Sequence, residues 1–205
     1  MQRKNSRSVC NCSLSESAQK CQDGVDLNRN WGYKYAYPGG SSSDPCSTKY
    51  HGAEAFSEPE SRNSADFLAK LKDKHQLTAY ISLHAYGQYW MYPYAYEEGT
   101  YPPNEEQMLK VAREGSQALA AVRKAHFMVG NVADIMYTAA GSSMDWVAGV
   151  LKLPFLYCLE LGPIQSPPFA TFFPPPTEIV PSGQETWAGL AKVADAVLRN
   201  AAEQL

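Results

Sequence analysis

Two side chains in this sequence stand in surroundings that make chemistry of them. His84 closes the apolar part of residues 78–94, T-A-Y-I-S-L-H-A-Y-G-Q-Y-W-M-Y-P-Y. Ala79, Tyr80, Ile81 and Leu83 leave that stretch without a polar face, which predicts a strand covered on both sides in an α/β sheet. Ligands of open α/β sheets gather at the carboxyl ends of strands, so the His84 imidazole arrives where such sheets place their sites. Alone it has two readings, a hydrogen-bonded structural residue or a ligand. Glu160 is the second side chain. It lies in P-F-L-Y-C-L-E-L, residues 154–161, which reads as another buried strand. Burying a carboxylate among Phe155, Leu156, Tyr157, Leu159 and Leu161 costs on the order of several kcal/mol unless it is paired, metal-bound or protonated. Either Glu160 ends the strand and reaches water or an arginine, or desolvation raises its pKa towards the range of a general base.

The elements that must position these groups belong to a chain of 205 residues, 44% hydrophobic and 19% charged, enough for one domain with a sizeable core. The formal net charge of -3 provides no basic face, and no run of Lys and Arg is interleaved with aromatics. Nucleic acid and anionic membranes are therefore poor partners, and small molecules or peptides fit better. The opening M-Q-R-K-N-S-R-S runs into Cys, Asn and Ser rather than an apolar stretch, so it is no signal peptide as it stands. The five cysteines, Cys10, Cys12, Cys21, Cys46 and Cys158, contain no C-x-x-C pair, which leaves a thiolate zinc site without support. A Cys21–Cys46 disulfide is the first choice in the loop-rich N-terminal segment, and Cys158 reads as a buried thiol.

Ser57-Glu58-Pro59-Glu60 predicts a capped helix over about residues 58–74, with Phe67, Leu68 and Leu71 on its buried face. A second helix follows Pro102-Pro103-Asn104, with Met108, Val111, Ala112, Leu119 and Val122 on one side and an end near Lys124. A short helix is predicted over residues 143–150. The last begins at Ser182, with Glu185 three residues on, and places Trp187, Leu190, Ala194, Val197 and Leu198 on one stripe.

Several segments, taken in order, resemble the zinc metallocarboxypeptidases of the carboxypeptidase A and B type. G-V-D-L-N-R-N-W, residues 24–31, resembles that family's substrate-carboxylate motif, and Tyr50-His51-Gly52 with Phe56-Ser57-Glu58-Pro59-Glu60 resembles the segment after it. I-S-L-H-A-Y-G-Q, residues 81–88, is similar to the strand bearing the third zinc ligand, followed by Met91-Tyr92-Pro93-Tyr94. Ile135-Met136-Tyr137 and residues 140–146, A-G-S-S-M-D-W, resemble the mobile tyrosine and the specificity loop, and Leu159-Glu160-Leu161 the catalytic glutamate strand. Residues 181–187 resemble the start of the last helix. These matches cover nearly the whole chain.

The resemblance implies an α/β fold, a mixed and mostly parallel central sheet flanked by helices, incomplete at the N-terminus, with residues 1–205 forming the C-terminal part of one catalytic domain. It implies that Asn28 and Arg29 bind the substrate's terminal carboxylate, Arg29 through a bidentate fork, and that Tyr137 closes over the same group. Glu160 would move the proton from the attacking water to the leaving amine. Arg3 would stabilise the oxyanion, although Gln2 replaces the family's Trp and one extra residue precedes Arg7. Met144 would form the base of the side-chain pocket, lined by Ala95, Val132 and Ala139. An uncharged base favours hydrophobic or aromatic C-terminal residues. Asp145, beside it, would point inward in a different loop register; the preferred reading is a charge in a first helical turn.

The implied cofactor is Zn2+, with His84 as a ligand. A zinc of this kind takes three protein ligands, for which carboxypeptidase A is the standard His2Glu example. This chain offers one, the other two being expected upstream; His51-Gly52-Ala53-Glu54 is a decoy inside a segment matched to something else. The implied partners are peptide or protein C-termini, the implied state a monomer, and the implied location extracellular. A binder of peptide C-termini without hydrolysis is the alternative. A carbohydrate-binding reading of Tyr33, Tyr35, Tyr37, Tyr92, Tyr94 and Tyr96 explains neither Arg29 nor Glu160.

Overall fold

A computed structural model describes residues 3–9, 23–75, 77–162, 172 and 174–203. Cys10, Cys12 and Cys21, and with Cys21 the expected disulfide to Cys46, lie outside the described residues, as does most of the Pro-rich stretch 163–176. In chain order the elements are α1 (Pro59–Asp73), β1 (Ala79–Ala85), β2 (Tyr89–Tyr92), α2 (Glu105–Arg123), β3 (Met128–Asn131), α3 (Val132–Ile135), α4 (Ser143–Trp146), β4 (Phe155–Leu161) and α5 (Ile179–Glu203). The chain divides into two compact units, one of residues 1–77, 94–100 and 133–152, the other of residues 78–93, 101–132 and 153–205.

The second unit holds the sheet. Its strand order is β1-β4-β2-β3, with β1 parallel to β4, β2 parallel to β3, and β2 antiparallel to β4. The sheet is thus mixed and mostly parallel, with helices packed on it, as expected. Residues 78–94 form the expected strand ending near His84 and, after a turn in which Gln88 takes φ 58°, a second strand, with β4 lying between the two. Among the described residues β1 pairs only with β4, at the edge of the sheet, and the covering expected on both faces is incomplete, with Leu83 52% exposed.

Helix packing in this unit is decided by two glycines and a tryptophan. The Trp90 ring is fully buried, and a Cβ added at Gly115 of α2 would stand 2.4 Å from it. A Cβ added at Gly189 of α5 would stand 2.7 Å from the same ring and 3.1 Å from the Gly115 carbonyl oxygen. Missing side chains therefore allow the contact. The buried face of α5 is Glu185, Thr186, Gly189, Val193 and Ala196, and the expected stripe faces the other way, with Trp187 71% exposed. Glu185 is buried because Arg123 Nε donates to it at 2.8 Å, which leaves a charge pair rather than a lone carboxylate. On α2 the expected face is buried at Met108, Val111, Ala112 and Leu119, joined by Gly115, while Val122 is exposed.

The first unit has little regular structure and is held by buried polar groups. Asn30, fully buried, donates through Nδ2 to His51 O, Glu54 O and Ser57 Oγ. Its Oδ1 accepts from Glu58 N and Ser61 Oγ. One amide thus ties the turn after Arg29 to the start of α1, each bond worth roughly 0.5–1.5 kcal/mol net. Ser57 is not the cap that the S-E-P-E pattern predicts. The N-cap position is Glu58, without a side-chain capping bond, and the Ser57 hydroxyl donates to Glu58 Oε1. The buried face of α1 is Ser61 and Ala65, and Phe67 is 60% exposed. Trp31, Phe56 and Trp146 form an edge-to-face aromatic cluster, with ring centroids 5.4 to 6.0 Å apart.

Burial alone would raise the pKa of Glu58, but bonds from Asn5, Ser57 and Arg7 and the Arg7 charge hold it below its ordinary value of 4.5. A lowered folded pKa contributes stability above the unfolded value and loses it as pH falls through the folded one. Urea midpoints should therefore fall on acidification below about pH 4.5, and Glu58→Gln should flatten that fall. Gly189→Val should cost at least about 1–3 kcal/mol in the same measurement, because neither the Trp90 ring nor the Gly115 carbonyl has room to retreat. An unchanged midpoint would remove the glycine contact from the account of the core.

Candidate active site

In the first unit the predicted carboxylate-binding residues stand on a short 3-10 turn, Leu27–Arg29, capped by Asp26, whose side chain accepts from Asn28 N at 3.2 Å. The next stretch of the site, residues 139–145, lies directly against it. Trp31 N donates to Gly141 O at 3.0 Å, and Ser143 N donates to the Asn28 side-chain oxygen at 3.0 Å. Gly141, at φ 67°, has its backbone so near that an added Cβ would be 2.4 Å from Arg29 O. Only glycine suits both the left-handed backbone and the approach. With its oxygen engaged, Asn28 keeps its amide NH2 as donor for an incoming acceptor.

Arg29 is 2% exposed, one of the largest side chains buried in the chain. Nη1 donates to Asn28 O at 2.7 Å, while Nε and Nη2 are buried with no hydrogen-bond partner among the described residues. Buried polar groups are nearly always satisfied, and a guanidinium with two unmet donors is a cation made ready for an anion. Nε and Nη2 are both bonded to Cζ and form one edge of the planar guanidinium.

Asp145 resolves differently from its reading as a helical-turn charge. Its backbone N–H does lie in the first turn of α4 and donates to the Ser142 cap at 3.2 Å. The carboxylate turns inward, fully buried, and accepts from Ala95 N at 2.9 and 3.0 Å and from Tyr96 N at 3.0 Å. Burial pushes its pKa up to about 7, against those amides, Ser142 and the Arg29 charge, which all act to lower it. Beside it Met144 is buried, as are Ala95 and Ala139, whose backbones are joined by Ala139 N donating to Ala95 O at 2.6 Å. Three of the four predicted pocket residues therefore belong to one hydrogen-bonded group. Val132, the fourth, is buried in the other unit.

Arg3 is half-exposed and donates through Nε and Nη2 to Asp26 Oδ2, at 2.9 and 2.7 Å. Asp26 therefore serves the predicted oxyanion arginine and the carboxylate-binding turn together, a role that could have been suspected from the acid inside G-V-D-L-N-R. Tyr137 is exposed, with Lys49 Nζ 5.3 Å from its ring centroid. The alternate tyrosines of this unit do not present a row of free faces. Tyr33 stacks on Tyr94, Tyr96 packs edge-on to Tyr33 and Tyr37, and Lys34 sits over Tyr37 and Tyr96.

In the second unit His84 and Glu160 are register partners on the parallel pair β1 and β4, and Tyr89 of β2 is the antiparallel partner of Glu160 on the other side. Register partners on neighbouring strands share a face, so imidazole and carboxylate emerge side by side near the carboxyl ends of their strands. His84 Nε2 lies 2.7 Å from Ser82 Oγ, two residues back on the same face. Among the described residues no group of three or more His, Cys, Asp or Glu is placed to hold a metal ion, so they do not by themselves fit a catalytic zinc. Nor, among them, is any helix long and apolar enough to cross a membrane.

Comparison with known proteins shows the family. A zinc carboxypeptidase family, Peptidase M14, matches residues 1–189. Zinc carboxypeptidase A 1 of Anopheles gambiae is 41% identical over 163 residues, which are 80% of this chain and 36% of that protein. Carboxypeptidase A2 of Rattus norvegicus is 37% identical over 174 residues, 85% of this chain and 40% of that one. The crystal structure of carboxypeptidase A from Helicoverpa armigera superposes with a TM-score of 0.80 at 31% identity, over 95% of this chain and 45% of that chain. The chain thus spans less than half the length of these relatives. A family match over nearly all of its residues, together with a shared fold, shows that this chain belongs to the zinc carboxypeptidase family.

Proposed function

We propose that this chain carries the recognition and proton-handling residues of a metallocarboxypeptidase that releases hydrophobic or aromatic C-terminal residues from peptides. The observation that supports this most is Arg29, a buried guanidinium with two donors lacking an acceptor, on a turn that also carries Asn28. A peptide's terminal carboxylate has two oxygens to offer such a fork, and an internal peptide bond has none with charge. Recognition of a free end follows. Nε and Nη2 are screened from solvent, so a carboxylate reaches them as the side chains over them move aside; Tyr137, exposed and on the same unit, is suited to close behind it.

The pocket's preference rests on Met144 and on the fate of Asp145. The thioether is neutral and apolar, and both oxygens of the neighbouring carboxylate are taken by Ala95 N and Tyr96 N. A ligand's Lys or Arg would find no free acceptor there, whereas an aliphatic or aromatic side chain needs none. Ala95 and Ala139 would complete the lining. Glu160 would accept a proton from the attacking water and return it to the leaving amine, the work of a carboxylate on a strand end. Arg3 would steady the oxyanion, with Asp26 fixing its fork.

Zinc is the family's metal, and His84 is the described residue suited to bind it. Two further ligands would come from outside the described residues. A monomer acting outside the cell on peptide or protein C-termini, with the Cys21–Cys46 disulfide formed, completes the proposal. One observation favours a second reading, binding of peptide C-termini without hydrolysis: the lack of a three-residue metal group among the described residues.

Calorimetry with N-acetyl-L-phenylalanine and its amide tests recognition. The acid should bind in clear preference to the amide, Arg29→Ala should weaken the acid by about 100-fold, roughly 3 kcal/mol, and Arg29→Lys should recover only part. Equal binding of acid and amide by the wild type would sink the proposal. Turnover separates the two readings. Where hydrolysis of a C-terminal Phe or Leu peptide is measurable with zinc added, Glu160→Gln should lower kcat by about 100- to 10,000-fold and leave peptide binding intact. Tight carboxylate binding with no hydrolysis, and zinc well below one ion per chain by elemental analysis, would establish the binder instead.

A further inference from the structure

We propose that Asp145 is a positioning residue for side-chain specificity, its buried carboxylate holding the Ala95–Tyr96 backbone in place as a wall of the pocket whose base is Met144. The proposal rests on the reading of this unit as a C-terminal recognition site and says which group gives the pocket its shape.

Three features of the geometry carry it. Asp145 is fully buried, yet no cation bonds to it directly; its oxygens are taken up by two consecutive main-chain amides at 2.9 to 3.0 Å. Such bonds to a charged acceptor are about twice as strong as neutral ones. The same residue is anchored at its own end by Ser142, whose hydroxyl accepts from Asp145 N, and it follows Met144 directly in α4. The span from carboxylate to amide thus sets the distance between the Met144 turn and the residue 95–96 segment. That segment is irregular, and its other ties include Ala95 O accepting from Ala139 N, Tyr94 O accepting from Ala133 N, Tyr94 N donating to Thr100 O, and the packing of its tyrosine rings. A pocket wall made of loop backbone needs such a clamp, because nothing in a sheet or helix ladder supplies one.

The charged and titratable groups facing Asp145 are Arg29 from the turn before Asn30, and Tyr94 and Tyr96 from the segment it holds. Burial raises the Asp145 pKa to about 7, so the carboxylate changes state near neutrality. A folded pKa above the unfolded 3.8 means that ionisation is disfavoured in the fold: between those values stability falls as pH rises. Protonation turns one oxygen into a donor facing two N–H groups, and the clamp loosens. Asp145→Asn makes the same change permanent, since one oxygen becomes an NH2 aimed at donors.

The test compares N-acetyl-L-phenylalanine, N-acetyl-L-alanine and N-acetyl-L-phenylalaninamide by calorimetry, alongside the amide resonances of Ala95 and Tyr96 from about pH 5 to about pH 9. In the wild type both resonances should titrate with a midpoint of about 7. In Asp145→Asn they should be shifted and flat, and the preference for Phe over Ala should drop by about 10-fold or more, while the preference for acid over amide, which belongs to Arg29, is kept. Retention of the Phe preference together with unmoved resonances would overturn the proposal. Should the variant fail to fold, the wild type decides by hydrogen exchange: Ala95 and Tyr96 amides that exchange as freely as those of an exposed loop overturn it. Lack of an acid preference in the wild type would strike the recognition reading instead, leaving the resonances to judge the clamp by themselves.

Discussion

A buried arginine with two idle donors is the constraint around which the first unit is built. Leaving Nε and Nη2 of Arg29 without acceptors is expensive, and the fold supports that expense with an unusually connected set of neighbours. Asp26 caps the turn, Asn28 O takes Nη1, Gly141 lets a second segment lie against the Arg29 carbonyl, and Asn30 ties the following residue to α1. Loosening any of these would let the guanidinium turn to water and lose its readiness for an anion. Preorganisation of this kind is how a binding site transfers the cost of ordering from the moment of binding to the act of folding.

The second unit places its chemistry by a different device. There the sheet does the positioning: strand register makes His84 and Glu160 neighbours, on strands 76 positions apart in the chain. On the proposed function, loops and buried polar groups would supply the carboxylate and side-chain recognition, and strand ends the proton and metal chemistry. Membership of the zinc carboxypeptidase family is consistent with both halves, since the match runs across residues 1–189.

The candidate site residues could be picked out because they are costly in their local context. Glu160 in an apolar strand and His84 at a strand's end each demanded a reason from the sequence around them, and the N-R pair within G-V-D-L-N-R-N-W came with its own cap. Less legible were groups whose cost is hidden by an ordinary local explanation. Asp145 could be read as a first-turn charge because its backbone does occupy a first turn, as its bond to Ser142 confirms. Nothing local says that its carboxylate meets the amides of residues about fifty positions earlier. Asp26 hides in the same way, since capping a turn accounts for it before its bonds to Arg3 are seen.

The sequence by itself determined where helices and strands run, since caps, proline positions and apolar periodicity act within a few residues of each other. It also carried the order of the motif residues, and with them the family. Tertiary structure decided which faces are used. On α5 the apolar stripe with Trp187 faces outward because Gly189 and Gly115 let the opposite face close on the Trp90 ring, and small residues win a close contact that a hydrophobicity pattern cannot register. On α1, Phe67 is exposed because the polar web of Asn30, Ser61 and Glu58 turns that face of the helix inward. A side chain's burial depends on what approaches it from elsewhere in the chain, and that approach exists only once the fold has formed.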